Sequence, residues 1–213
     1  MTVKAFNELK VKEKENRKLV LLQIAENIFH ENCIEDVTIR NVARKAGLST
    51  GAIYMYFTSK EELLLAMLIR NLKKLQSEME SIKDKDDPAK ALKSMALAYQ
   101  DYFINYGKYV DIFKYLTERE GKDIISQDHK IELLETLGGI FKVIEEMASG
   151  KKFKKYTRGI PPRRFVPMVW SIAHGVSQIT LSTSRGEAVG FDFDQVIDDF
   201  IHLIFKERKK SRV

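Results

Sequence analysis

Apolar residues recur at intervals of three and four along most of the chain, the spacing that places them on one face of an α-helix. One unbroken series follows a single predicted long helix: Leu65, Leu68, Leu72, Leu75, Met79 and Ile82. The alternation of apolar and polar residues that is typical of half-buried strands is not evident, and the chain contains only 4 Pro and 11 Gly. The pattern therefore predicts an all-α protein.

Start and stop signals divide this pattern into elements. Asp87 before Pro88 is a good helix start, and Gly107 is a good stop for the helix that follows. Asp192 with Gln195 forms a capping pair that starts the last helix. The other predicted helices cover Glu15–Asn32, Tyr109–Glu118, Asp128–Ala148 and Pro161–Thr183, and the segment Thr38–Leu63 holds two short helices and the start of a third.

The segment after Thr38 is typical of two short helices joined by a tight turn. Gly47 can take the left-handed backbone that such a turn requires, and the small side chain of Ala43 lets the helices approach closely. Thr38 and Ser49 stand where N-caps are expected for the two helices. The segment is thus predicted to be a helix-turn-helix.

The apolar residues of this segment predict its core. We expect Val42, Leu48 and Ile53 to meet beneath the turn. Ser59 and Glu62 have the spacing of a capping box, which predicts the start of the next helix.

The second short helix presents small, polar and aromatic residues and no acidic residue. Such side chains suit a DNA groove, because no carboxylate repels the phosphates and because methyl and hydroxyl groups can contact base edges or phosphates. The residues are Thr50, Gly51, Ala52, Tyr54, Met55 and Tyr56, followed by Lys60, which suits a phosphate oxygen.

The same segment resembles the N-terminal signature of the TetR family of transcriptional regulators. The matching residues are Ile28-Phe29, Thr38, Val42-Ala43, Ala46–Ser49, Gly51, Ile53-Tyr54, Tyr56-Phe57 and Lys60–Leu63. The resemblance covers about residues 15–68, with Cys33 standing where the family usually has glycine after its first helix. It implies DNA contacts by Arg40, Thr50, Gly51, Ala52, Tyr54, Tyr56 and Lys60.

The resemblance also implies an architecture and a mode of action. It implies a DNA-binding domain over residues 1–62 and a helical ligand-binding and dimerisation domain over residues 63–213. The expected function is a repressor that leaves a palindromic operator when a small, largely apolar ligand binds the second domain. Ligand binding would shift the long helix that carries Leu65 to Ile82 and so change the separation of the two recognition helices.

A homodimer is expected, because one recognition helix reads only a few base pairs. The resemblance implies pairing through the last two long helices, Pro161–Thr183 and Asp192–Phe205. The first of these carries an apolar stripe and a face of small residues. The stripe comprises Phe165, Val169, Ile172, Val176 and Ile179, and the small residues are Ser171, Gly175 and Ser182.

Aromatic residues between the helix-turn-helix and the predicted pairing helices are candidates for an apolar ligand pocket. Ordinary core packing is the alternative interpretation. The candidates are Tyr99, Phe103, Phe113, Phe141, Trp170 and His174. The ligand itself is unknown from the sequence.

Charge and composition narrow the class of protein. A net charge of +6 permits a polyanionic partner. The segment Met1–Lys18 is polar and mixed in charge rather than a basic stretch followed by an apolar run, which predicts a cytoplasmic protein. A single cysteine, Cys33, cannot form an internal disulfide, which fits a reducing compartment. The uncharged stretch Phe165–Ser184 contains Pro167, His174 and Gln178, which favours a buried helix over a membrane span.

Other chemistry receives little support. Asp198 and His202 lie four residues apart, but a metal site needs more ligands, so neither a metal nor a cofactor is expected. The sequence shows no nucleophile with an adjacent base, so it does not predict an enzyme active site. The basic stretch Lys151–Arg164 and the lysines near the N-terminus are interpreted as solvated segments. A helical adaptor that binds protein rather than DNA is the alternative function.

Overall fold

The computed structural model describes residues 3–83, 87–106, 112, 115–116, 126–157, 159–182 and 192–206. Every regular element within them is helical, which confirms the all-α prediction. The bounded helices are α1 (Val3–Glu31), α2 (Ile39–Ala46), α3 (Thr50–Tyr54), α4 (Lys60–Lys83), α5 (Pro88–Tyr106), α6 (Gln127–Ser149), α7 (Lys151–Lys154), α8 (Pro162–Ser182) and α9 (Phe193–Phe205). The 3-10 turn Ile34–Asp36 separates α1 from α2.

The first compact unit comprises residues 1–70 and 109–133. In it α2 packs against both α1 and α3. Ala25, Val42, Ile53 and Phe57 are fully buried at the centre of this small core. Burial of these apolar side chains is the main term that holds such short helices together, since α2 and α3 are too short to be stable alone.

Helix α1 begins well before the predicted start at Glu15. Its first half is exposed, including Phe6 and Leu9, so burial does not explain why it is helical. The segment lacks Gly and Pro and is rich in Lys and Glu, which have high helix propensity, and Glu13 pairs with Arg17 one turn later. Local propensity thus extends the helix beyond its packed part.

The second compact unit comprises residues 71–108 and 134–213. Here α5 packs against α8 and α9, which also pack against each other. The Asp87 carboxylate caps α5 by accepting the N–H groups of Ala89 (2.9 Å) and Lys90 (3.3 Å), as the Asp-Pro start signal predicts. The Asp192 carboxylate likewise caps α9 by accepting the N–H of Asp194 at 3.2 Å.

The regular apolar series of α4 is buried along its whole length. Its six members are all at most 8% exposed, from Leu65 to Ile82. Residues 60–70 of this continuous helix belong to the first unit and residues 71–83 to the second.

The stripe predicted on α8 is divided between the inside and the outside of the second unit. Phe165 and Val169 are buried in the unit's own core and cannot form an interface, contrary to the prediction. The exposed apolar residues of this helix are instead Met168 (51% exposed) and Ile179 (44% exposed). Helical spacing alone could not decide which part of a nearly all-apolar helix faces inward.

Candidate nucleic-acid interface

The turn between α2 and α3 is closed by backbone hydrogen bonds around a left-handed glycine. Gly47 has φ 67°, and its N–H donates to the carbonyls of Ala43 and Arg44. The N–H of Leu48 also donates to Ala43 O at 2.9 Å. This is the Schellman arrangement, which satisfies the last carbonyls of a helix and turns the chain sharply. It sets the direction in which α3 leaves α2.

Both short helices are capped by the predicted hydroxyls. Thr38 Oγ1 accepts the N–H of Asn41 at 3.1 Å, and Ser49 Oγ accepts the N–H of Ala52 at 3.2 Å. Each bond satisfies one of the donors that the first turn of a helix leaves without a backbone partner. The N-cap predictions are confirmed.

The core beneath the turn differs from the prediction at one residue. Val42 and Ile53 are fully buried as expected, whereas the side chain of Leu48 is 47% exposed. Its place inside is taken by Val37 and Phe57, both fully buried. Leu48 serves the turn through its backbone N–H, and this geometry leaves its side chain at the surface beside α3.

Helix α3 presents an exposed face of small and aromatic residues. Thr50 and Gly51 are exposed, Ala52 is half-buried, and Tyr54 is 54% exposed. Met55, directly after the helix, is 73% exposed. The face is therefore accessible to a partner, and its chemistry is that of side chains which read base edges.

The surroundings of α3 are basic. The sequence has no Asp or Glu from Thr38 to Lys60, and Arg40 and Arg44 of α2 are exposed. Arg17 of α1 hydrogen bonds to Tyr56, and this bond, together with the charge of Glu13, raises the pKa of Arg17. Helix α1 thus supplies one further cation beside the half-buried Tyr56.

Lys60 has a contact that sequence reasoning missed. Its Nζ donates to the backbone carbonyls of Ile34 (2.9 Å) and Glu35 (3.4 Å) in the 3-10 turn, and it lies 5.5 Å from the ring centroid of Tyr115. The ammonium therefore links the start of α4 to the turn that follows α1. No local signal predicts such a bond, because the partners lie more than 20 positions away in sequence.

The start of α4 carries an altered capping box. Ser59 Oγ accepts the N–H of Glu62 at 3.1 Å, as predicted. The Glu62 carboxylate, however, accepts from the N–H of Thr58 (2.6 Å) and from its hydroxyl (2.7 Å) rather than from Ser59. The cap is thus displaced by one residue and gains a second hydrogen bond.

Cys33 lies in an extended conformation at the end of α1, so the chain leaves α1 without a left-handed residue at this position. The thiol is exposed and donates to Asp36 Oδ2 at 3.2 Å. Hydrogen bonds with Glu35 and Asp36 raise the pKa of Cys33, because these carboxylates stabilise the protonated thiol.

The second unit brings five of the six candidate pocket residues together, while Phe113 lies outside the described residues. Tyr99 is buried, with its hydroxyl 2.7 Å from His174 Nδ1 and its ring centroid 4.3 Å from that of Trp170. Phe103 contacts His174 edge-on, and Phe141, 38% exposed, contacts Trp170 in the same way. We call these five residues the aromatic cluster. Burial raises the pKa of Tyr99, so its hydroxyl stays protonated.

Neither a metal site nor a membrane span is found in the described part of the chain. No group of three His, Cys, Asp or Glu residues converges there, and Asp198 forms an ion pair with Lys93 at 2.6 Å instead. No described helix is long and apolar enough to cross a bilayer.

Comparison with known proteins places the helix-turn-helix in a family. Residues 21–67 match the model of the bacterial regulatory proteins of the tetR family. The HTH-type transcriptional regulator EthR of Mycobacterium tuberculosis is 38% identical over 56 residues, which are 26% of this chain and 26% of EthR. The match thus spans about a quarter of that relative's length.

Two solved structures share the fold over nearly the whole chain. A TetR/AcrR-family regulator of Thermobifida fusca is 14% identical with a TM-score of 0.66, covering 92% of this chain and 100% of that one. FadR of Bacillus subtilis, solved in complex with stearoyl-CoA, is 16% identical with a TM-score of 0.61, covering 87% and 96%. The chain therefore has the fold of these regulators, and residues 21–67, which hold the capped helices and the glycine turn, match the model of the tetR family of bacterial regulatory proteins.

Proposed function

We propose that this protein is a sequence-specific DNA-binding transcriptional regulator that acts as a homodimer and represses until a small, largely apolar effector binds its second unit. The observation that carries the proposal is the exposed face of α3. This face has no acidic residue, and basic residues surround it. A major groove about 12 Å wide admits a helix of this size.

Each of the seven residues implied by the family resemblance has a proposed role. Thr50, Gly51 and Ala52 approach base edges, where a methyl or hydroxyl group discriminates among bases. Tyr54 and Tyr56 reach phosphates or bases through their hydroxyls, and Arg40 neutralises a phosphate from the preceding helix. The Lys60 ammonium holds the 3-10 turn through its hydrogen bond to the Ile34 carbonyl. It can contact a phosphate only when it gives up this hydrogen bond.

The dimer proposal is supported by apolar residues that α8 and α9 leave at the surface. Met168 and Ile179 on α8 and Leu203 on α9 are 44% to 66% exposed. A Cβ added at Gly175 would meet nothing within 4 Å, so no residue of the same chain packs closely against this position. A dimer supplies the two recognition helices that half-sites about 34 Å apart require.

The effector proposal is supported by the aromatic cluster. Phe141 keeps the cluster partly accessible, and the Tyr99 hydroxyl and His174 Nδ1 pair with each other within it. FadR of Bacillus subtilis, which has a similar fold, was solved with stearoyl-CoA, a ligand with a long apolar chain. Release from DNA requires that the effector bind the DNA-incompetent arrangement more tightly, and the continuous helix α4 is the proposed mechanical link.

DNA binding is tested by fluorescence anisotropy with the DNA upstream of the protein's own gene, at several salt concentrations. We expect affinity to fall steeply with salt, because Lys and Arg displace counterions from phosphates. Tyr54→Ala should weaken binding at least tenfold, whereas Ile104→Ala, a matched control that is also 54% exposed but lies on α5, should bind like the parent. Equal affinity of the two variants would contradict the proposal.

The same experiment separates the alternative function. A helical adaptor that recognises protein would bind this DNA weakly and without sequence preference, so that an unrelated fragment of equal length competes equally well. A regulator is displaced from its labelled fragment only by competitor DNA that carries the operator.

Effector binding has a built-in reporter, since Trp170 is the single tryptophan of the chain and lies in the aromatic cluster. Titration with stearoyl-CoA should change the emission of the parent protein and release it from DNA over the same concentration range. An unchanged emission together with unchanged DNA affinity would exclude a long acyl thioester as effector.

A further inference from the structure

A cavity lies in the second unit, away from the aromatic cluster. Its volume is about 460 Å³, within the usual range for small-molecule sites. Lys83, Pro88, Ala91, Glu146, Met147, Gly150, Lys151, Lys152 and Phe153 line it. On α5 the lining residue Ala91 lies eight positions before Tyr99, about 12 Å along the helix axis. The cavity is thus distinct from the aromatic cluster, although both use α5 and α6.

The floor of this cavity is apolar and firmly packed. Ala91 and Phe153 are at most 1% exposed and Met147 is 8% exposed. The Phe153 ring lies 5.4 Å from the ring centroids of both Phe165 and Phe205, so α7 is held against α8 and α9. The floor is therefore preformed and favours an alkyl or aryl group.

The rim is cationic. Lys151 and Lys152 are exposed, and Lys83 forms an ion pair with Glu146 at 2.9 Å. The lining contains three lysines and one glutamate, so its charged residues carry a net charge of +2. Hydrogen bonding to Lys83 also lowers the pKa of Glu146, so this pair stays charged at neutral pH and fixes Lys83 at the wall. Lysine ammonium groups are point charges that suit phosphate and carboxylate oxygens.

We propose that this cavity binds a small amphipathic anion, with its apolar body on the floor of Ala91, Met147 and Phe153 and its phosphate or carboxylate head among Lys83, Lys151 and Lys152. The site gives a function to the basic stretch after Gly150, which the DNA-recognition surface does not use. It does not depend on DNA binding, and DNA binding does not depend on it.

The test is isothermal titration calorimetry of the full chain with hexyl phosphate, inorganic phosphate and 1-hexanol as probes. Hexyl phosphate should bind at least tenfold more tightly than either of the others, because only it uses both the floor and the rim. Hexanoate in place of hexyl phosphate distinguishes the two head groups. Trp170 emission should not change during the titration, since the aromatic cluster lies elsewhere.

Variants locate the site. The double variant Lys151→Glu/Lys152→Glu should weaken hexyl phosphate binding at least tenfold. Lys154→Glu, a matched control in the same short helix but outside the lining, should stay within twofold of the parent. All three lysines are exposed, so folding is retained, as circular dichroism will verify. Absence of binding by every probe, unchanged binding in the double variant, or an equal loss in both variants would overturn the proposal.

Discussion

Replacing Gly47 by alanine adds one methyl group at the turn between α2 and α3, and its effect can be worked out from the backbone. Gly47 has φ 67°, and a Cβ there would meet no atom within 4 Å, so no clash contributes. A left-handed backbone costs an L-residue about 1–2 kcal/mol. The lower entropy of the unfolded alanine chain offsets about 0.4–1 kcal/mol of this. The net loss of stability is about 1 kcal/mol.

The matched control is Gly138→Ala on α6. A Cβ there also meets nothing within 4 Å, but this glycine lies inside a long helix without a left-handed φ. Alanine should therefore stabilise the helix by about 0.5–1 kcal/mol. The same chemical change is expected to have opposite signs at the two sites, because only the backbone conformation differs.

The assay is thermal unfolding followed by circular dichroism at equal protein concentrations. A change of about 1 kcal/mol corresponds to roughly 2–4 °C in Tm for a chain of this size. Gly47→Ala should melt below the parent and Gly138→Ala above it. If Gly47→Ala melted with the parent, or if both variants shifted in the same direction, the assignment of the turn to a left-handed glycine would be refuted.

Three further predictions concern capping, phosphate contact and pH. Thr38→Ala should lower stability by about 1 kcal/mol through loss of the α2 cap, and Thr38→Ser should retain most of it in the same melting assay. Arg40→Ala should reduce the slope of log affinity against log salt by about 0.9 per protomer, or about 1.8 for a dimer, and an unchanged slope would remove Arg40 from the DNA contacts. Lys83 lowers the pKa of Glu146, so their interaction stabilises the folded state above the ordinary carboxyl pKa of 4.5 and is lost as pH falls through the lower folded value. Unfolding measured from pH 6 to pH 3 should accordingly show a smaller loss of stability in Glu146→Gln than in the parent, and identical curves would contradict this.

The sequence predicted best what depends on neighbours along the chain. The caps at Thr38 and Ser49, the left-handed Gly47 and the start of α5 after Asp87 follow from hydrogen bonds that span at most five residues. The series from Leu65 to Ile82 was equally predictable, because an unbroken apolar spacing of three and four residues is typical of a buried helix face.

Features that depend on tertiary packing were harder to predict from the sequence. Leu48 looks like a core residue by composition, yet Val37 and Phe57 fill that core, and no local pattern weighs one apolar residue against another. The division of α8 into buried and exposed apolar faces has the same cause, since that helix is apolar nearly all round.

Contacts between side chains that are distant in sequence could not be predicted, for a related reason. The bond from Lys60 to the carbonyl of Ile34 and the pairing of Tyr99 with His174 arise only when separate helices are brought together. The members of the aromatic cluster could be predicted from the sequence as a set, whereas their contacts could be described only from the structure. The seven DNA-contact residues stay a prediction until binding is measured.

The exposed thiol at the end of α1 offers a means of following the motion proposed above. Cys33 is the single cysteine, so a nitroxide label attaches at one defined point per protomer without any prior mutation. Its raised pKa means that labelling is best done at mildly alkaline pH, where more thiolate is present. In a dimer the two labels would form one spin pair, each label in the same compact unit as its recognition helix, and pulsed electron paramagnetic resonance would report their separation with and without an effector.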